Sequence, residues 1–77
     1  MKIEILGVGC ARCRQLAANA DEAARALGLD YQLEKVTDIS RILASGVLVT
    51  PALVVDGQMR LAGRVPGVEE LKQLLAT

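Results

Sequence analysis

The feature that most constrains this chain is a pair of cysteines, Cys10 and Cys13, at the junction between a predicted strand and a predicted helix. Lys2–Leu6 alternates apolar and polar side chains as a strand does. A Gly-Val-Gly turn at residues 7–9 follows it directly. Residues 11–27 then show the apolar spacing of an amphipathic helix. The sequence therefore predicts that both thiols lie at the start of a helix that follows a tight turn.

A thiol at the start of a helix is close to backbone N–H groups that lack an intrahelical partner and to the positive end of the helix dipole. This position predicts a lowered pKa for Cys10 and a larger fraction of thiolate, the species that attacks disulfides and binds soft metals. Cys13 comes one helical turn later and can close on Cys10. A disulfide between them would close too short a loop to stabilise the fold much, which favours chemistry over cross-linking.

The composition argues against several classes of function. Nine basic and nine acidic residues give a formal net charge of zero, without a block of like charge, so nucleic-acid binding is not expected. The chain has no histidine, which removes Cys–His nucleophile pairs and histidine-bearing zinc sites. It shows neither a secretory signal nor a run of membrane-spanning length. We therefore expect a cytoplasmic protein with no membrane association, in which a C-x-x-C pair serves redox or metal chemistry.

The remaining segments predict one α/β domain over residues 1–77. Residues 29–36 have the mixed polarity of an edge strand, and Thr37 or Asp38 can cap a short helix that ends at Gly46. The run 47–55 is β-branched and is interrupted by one proline, and its last part, Leu53–Val55, is expected to pair as a third strand.

Asp56-Gly57 predicts a tight hairpin into a fourth strand at Gln58–Ala62. A final amphipathic helix, with Glu69 and Glu70 in its first turn, follows a Pro-Gly pair at residues 66–67. The predicted order is β-α-β-α-β-β-α. The first two strands should be parallel because a helix joins them, and the last two should be antiparallel.

This order, with C-x-x-C at the first helix and Thr50-Pro51 before the third strand, resembles the thioredoxin fold over essentially the whole chain. It is most similar to the small thioredoxin- and glutaredoxin-like redox-active disulfide proteins of bacteria and archaea. The matching segments are Gly-Cys-Ala-Arg-Cys at 9–13, Val-Thr-Pro-Ala at 49–52, Asp56-Gly57 and Gly63. The resemblance implies a central four-stranded mixed sheet with helices on both faces.

The resemblance also implies a thiol–disulfide oxidoreductase with a redox-active Cys10–Cys13 disulfide and no bound cofactor. Cys10 would attack a substrate disulfide, and Cys13 would resolve the mixed disulfide. Pro51 would follow a cis peptide bond beside the cysteines, and the Thr50 backbone, with Val49 next to it, would bind the substrate chain. The expected partners are disulfide-containing proteins and a flavin-dependent disulfide reductase, and the protein is expected to be a monomer.

The chain departs from the larger families at several positions. Gly9 replaces the tryptophan that thioredoxins carry before the cysteines, and Ala11-Arg12 replaces their Gly-Pro. The Pro-Tyr of glutaredoxins and their glutathione-binding pattern are not evident, so glutathione use is not expected. Glu4 occupies the position of the buried acid of thioredoxins, although its place in the strand favours exposure to solvent. Arg12 is expected to be solvated while favouring the Cys10 thiolate.

A second hypothesis assigns the same two thiolates to a soft metal such as Cu(I). Residues 9–13 resemble the metal-binding loop of small heavy-metal-associated domains. Those domains follow β-α-β-β-α-β order and carry a methionine that is missing here. The order of elements in the folded chain therefore discriminates between the two hypotheses.

Overall fold

The part of the chain that the computed structural model describes, residues 1–9 and 11–76, contains one mixed sheet with the strand order β2-β1-β3-β4. The strands are β1 (Lys2–Leu6), β2 (Gln32–Val36), β3 (Ala52–Val55) and β4 (Gln58–Ala62). β1 pairs in parallel with β2 and antiparallel with β3, and β3 pairs antiparallel with β4. These pairings confirm the predicted connectivity and the edge position of β2.

Three helices complete the order β-α-β-α-β-β-α: α1 (Ala11–Ala26), α2 (Ile39–Ala44) and α3 (Val68–Ala76). α1 ends one residue before the predicted limit, because Gly28 adopts a φ of 68° there. Its N–H donates to Arg25 O, and the N–H of Leu29 donates to Ala24 O, which satisfies two carbonyls of the last turn of the helix. The side chain of Asp38 accepts from Ser40 N at 2.9 Å, so Asp38 caps α2.

The helices lie on both faces of the sheet, as predicted. Side chains alternate between the two faces along each strand, and each face has its own apolar cluster. The cluster under α1 and α3 includes Ile3, Ile5, Leu16, Ala17, Ala20, Ala23, Ala24, Leu53, Val55, Leu61, Leu71 and Leu75. The cluster under α2 consists of Leu6, Val36, Ile42, Val47, Ala52 and Val54. None of the helices among the described residues is long and apolar enough to cross a membrane.

Strand β2 is shorter than the sequence predicted, since it begins at Gln32 and residues 29–31 lie outside it. The amide of Leu29 is used by the end of α1, so it is not available to a sheet. Gln32 is the partner of Lys2, the first residue of β1, and no strand continues beyond that pair. The strand therefore starts where its neighbour starts.

Within the β-branched run 47–55, only the part after Pro51 is a strand, and β3 begins at Ala52, as expected from the position of Thr50-Pro51. Val47 is buried under α2, whereas Leu48 is 96% exposed. The Thr50–Pro51 peptide bond is cis, in agreement with the resemblance. A proline cannot donate to a strand ladder, which accounts for the start of β3 immediately after it.

The predicted hairpin is confirmed by left-handed backbone at Asp56 and Gly57, with φ values of 50° and 82°. These angles at both central residues give the turn that suits a two-residue hairpin. A register shift between Leu53 and Val54 places one extra residue in β4. The sequence showed no sign of this bulge.

Candidate active site

Cys13 lies in the first turn of α1 and is 5% exposed. Gly7, directly after β1, lies against it. A Cβ on Gly7 would overlap Cys13 Sγ and lie 3.2 Å from Cys13 Cβ. The Gly7 N–H donates to Val36 O at 3.0 Å, which holds this backbone in place. The sequence assigned Gly7 only to the turn, whereas the structure shows that its missing side chain makes room for the sulfur.

Pro51 lies at the same point. The Cβ position of Gly7 is 3.9 Å from Pro51 Cα, so Gly7 lies between the helix that carries Cys13 and the cis proline. Pro51 is buried, whereas Val49 and Thr50 in the preceding loop are exposed. The structure therefore brings together Cys13 and Pro51, two of the predicted site residues, with Val49 and Thr50 on the adjoining loop. The prediction for Cys10 concerns a residue outside the described ranges.

Gly63, directly after β4, connects this loop to α1. Its N–H donates to Pro51 O at 2.8 Å, and its carbonyl accepts from Arg12 Nη2 at 2.8 Å. Its φ is 82°, and a Cβ there would lie 2.8 Å from Val49 Cγ1. The resemblance singled out Gly63 without a role. In the structure, its peptide joins Arg12 to the proline loop.

Arg12 and Arg14 are both exposed, and each is bound to a backbone carbonyl. Arg14 Nη1 donates to Gly9 O at 2.7 Å, so its guanidinium lies on the turn before the cysteine pair. Arg12 is exposed, as expected of a solvated cation, and its guanidinium in addition donates to Gly63 O. Within the described residues, the ion pairs involve Lys2, Arg25, Arg41, Arg64 and Lys72, and neither Arg12 nor Arg14 takes part in one.

Exposed apolar side chains lie on the turn after β1 and on the loop before Pro51. Val8 is 63% exposed and Val49 is 55% exposed, and Leu48 is almost fully exposed. Of these three residues, the resemblance assigned a role only to Val49, in substrate binding. Leu48 is exposed because β3 begins only at Ala52, so Leu48 lies in the loop before the strand.

Glu4 does not face open solvent as the sequence favoured. Its side chain is 19% exposed, lies on the α2 face of the sheet and pairs with Arg41 Nη2 at 3.3 Å. Arg41 also pairs with Glu34 at 2.9 Å, and this hydrogen bond and charge lower the pKa of Glu34. Arg41 thus ties α2 to both β1 and β2.

The soft-metal hypothesis required a chain of β-α-β-β-α-β order, whereas this chain has a second helix before β3 and a third after β4. The order of elements therefore does not favour it. The thioredoxin-like order is the one observed.

Comparison with known proteins gives the same result. The family model for the thioredoxin domain matches residues 1–76. A protein named thioredoxin from Methanothermobacter thermautotrophicus is 45% identical over 76 residues, which cover 99% of each chain. Another thioredoxin, from Methanocaldococcus jannaschii, is 41% identical over 73 residues, covering 95% of this chain and 84% of its own. These matches support a thiol–disulfide oxidoreductase function, and the chain belongs to the thioredoxin family.

Proposed function

We propose that this protein is a protein-disulfide oxidoreductase in which Cys10 is the attacking thiol and Cys13 the resolving thiol. The observation that carries the proposal is the convergence of the buried Cys13 and the cis Pro51 on Gly7, at the start of the helix that carries Cys13. Family membership supports the reaction class. The assignment of the two thiols rests on their spacing and on the burial of Cys13.

In the proposed reaction, the Cys10 thiolate attacks one sulfur of a client disulfide. A bond forms between Cys10 and that sulfur, and the second client sulfur leaves as a thiolate. Cys13, as a thiolate, then attacks Cys10 Sγ, which forms the Cys10–Cys13 disulfide and releases the first client sulfur. Two electrons pass from the dithiol to the client, and the two thiol protons end on the two client thiols. The reverse sequence oxidises a client dithiol.

The residues around Cys13 suit these steps. Burial of Cys13 keeps it from reacting with clients directly, so the second step would depend on Cys10 being joined to a client. The exposed loop at Val49 and Thr50 offers backbone groups and apolar surface next to the proline. We propose that the client chain lies along this loop during the first step.

We further propose that the clients are disulfide-containing proteins and that a flavin-dependent reductase returns electrons to the oxidised pair. A monomer in the cytoplasm, with the redox-active disulfide as its reactive group and no bound cofactor, fits this role. These partners follow from family membership and from the C-x-x-C pair.

The test is the pH dependence of alkylation in the reduced protein, with the reduction potential measured on the same sample. We expect Cys10 to react as a thiolate of lowered pKa while Cys13 is protected. Cys13→Ser should accumulate a mixed disulfide with a peptide client, and Cys10→Ser should not react with it. Equal reactivity of both thiols, or failure of the disulfide to form, would contradict the proposal. A Cu(I) titration of the reduced protein would then test the metal alternative.

A further inference from the structure

The segments that contain the site residues carry positive charges and no negative ones, although the whole chain has a formal net charge of zero. Residues 5–20, 39–55 and 57–68 contain no aspartate or glutamate. They contain five arginines, of which Arg12 and Arg14 lie in the first turn of α1, on either side of Cys13. Any negative charge near the site must therefore come from a residue outside these segments.

The carboxylates that border these segments are each engaged elsewhere. Glu4 pairs with Arg41, and Asp38 caps α2. Asp21 pairs with Arg25, and Asp56 accepts from Lys2 N at the opposite end of the sheet. Glu69 pairs with Lys72. None of these contacts involves Arg12 or Arg14, so the two guanidinium charges are not neutralised by them.

The two guanidinium groups are nevertheless held in place. Arg14 donates to Gly9 O, in the turn before α1. Arg12 donates to Gly63 O, and the same glycine is bound to Pro51. Each bond uses only part of the donor set of a guanidinium, and a neutral carbonyl leaves the positive charge intact. Both groups can therefore still bind a carboxylate with a charge-assisted hydrogen bond.

These two arginines, together with the exposed Val8, Leu48 and Val49, make up the site rim. We propose that the site rim selects protein disulfides that are flanked by acidic residues within an apolar segment. The inference rests on the proposed function, because it names the class of client for the same cysteine pair. Exposed charges act mainly on encounter and orientation, so the selection should appear in the rate of the first exchange step and should weaken as salt rises.

The experiment uses three peptides of equal length, each with one disulfide and with acidic, neutral or basic flanking residues. The reduced protein is mixed with each peptide, and the second-order rate constant is measured. At about 0.1 M salt, where charges act over about 10 Å, the acidic peptide should react about tenfold faster than the neutral one. At about 1 M salt, where the range falls to about 3 Å, the ratio should approach unity.

Arg12→Gln and Arg14→Gln should each reduce the ratio of the acidic to the neutral rate by about threefold. The ratio is the informative quantity, because a change in the intrinsic reactivity of Cys10 alters both rates equally. Arg14→Lys keeps the charge and should keep most of the ratio. Arg25→Gln is the matched control, since it removes one positive charge from the same helix, about 17–20 Å along its axis from Arg14 and Arg12.

The outcomes separate this inference from the proposed function. Equal rates for the three peptides, a ratio that salt does not change, or an equal loss in Arg25→Gln and Arg14→Gln would overturn the inference while leaving the oxidoreductase intact. A reduced protein that exchanges with none of the peptides would overturn the proposed function, and the inference with it. A salt-dependent ratio that falls only in the Arg12 and Arg14 variants supports it.

Discussion

The hairpin end and the site end of the sheet use glycine in different ways. At the hairpin end, nothing lies within 4 Å of the position that a Cβ on Gly57 would occupy, and its φ of 82° serves only the turn. At the site end, the backbone of Gly7 lies against Cys13, with no room for a side chain. Gly57 is therefore needed for its own backbone conformation, whereas Gly7 is needed because its missing side chain leaves room for the sulfur of Cys13.

The two ends also differ in how their polar groups are satisfied. At the hairpin end, Lys2 N donates to Asp56 Oδ1 at 2.7 Å, and Asp56 N donates to Lys2 O at 2.8 Å. At the site end, Arg12 and Arg14 are bound to carbonyls and apolar side chains are exposed beside them. Changes at the hairpin end should therefore alter stability alone, whereas changes at the site end should alter reactivity as well.

The largest effect is expected for Gly7→Ala. The new methyl group would overlap Cys13 Sγ, so the strand end or the helix must move. We expect a loss of about 1–3 kcal/mol in the free energy of unfolding and, because the sulfur is displaced, a roughly hundredfold slower disulfide exchange. Urea unfolding and peptide-reduction rates measure the two losses. Gly67→Ala is the control, because the position is open there, and wild-type exchange rates are expected.

The next effect is expected for Gly63→Ala. An alanine with a φ of 82° costs about 1–2 kcal/mol, and its methyl group would press on Val49 Cγ1. Displacement of the client-binding loop should raise KM more than it lowers kcat. In a Val49→Ala background the same change should cost less stability, because Val49 Cγ1, which the new methyl group would overlap, is absent. Strict additivity of the two substitutions in urea unfolding would contradict the contact.

A smaller effect, confined to stability, is expected for Asp56→Ala at the hairpin end. The change removes the hydrogen bond to Lys2 N and places alanine at a positive φ, at a cost of about 1 kcal/mol in the free energy of unfolding. Asp56→Asn should retain most of the stability, since asparagine tolerates this backbone and its amide oxygen accepts the same bond. The alkylation rate of Cys10 should be unchanged in both variants, and a change would argue against separate roles for the two ends.

The smallest effect is expected for Glu34→Gln, between the two ends. The hydrogen bond and charge of Arg41 lower the pKa of Glu34 from its usual 4.5, so the folded state binds fewer protons there than the unfolded state. The stabilisation is complete above the usual pKa and is lost as the pH falls through the lowered one. Wild type should therefore lose more stability than Glu34→Gln as the pH falls through the lowered pKa. Equal losses of stability in wild type and Glu34→Gln, measured by urea unfolding at acid pH, would contradict this link.

Local pattern was sufficient for several elements of the fold. Apolar spacing identified α1, and Asp56-Gly57 identified the hairpin. The segment from β1 through the glycine turn to Cys13 also indicated the place and the chemistry of the site. Each of these features depends on residues close together in the chain, so propensity and side-chain period carry the information.

Contacts between distant segments decided the rest. Leu48 is exposed, although it lies in an apolar run, because the pairing of β3 with β1 and β4 begins only at Ala52. The approach of Gly7 to Cys13 depends on how α1 lies over the end of β1. The bond from Arg12 to Gly63 joins residues 51 positions apart. The sequence alone determined the cysteine pair and the order of elements. Which backbone groups face the site depends instead on the pairing and closure of distant segments, which no local pattern records.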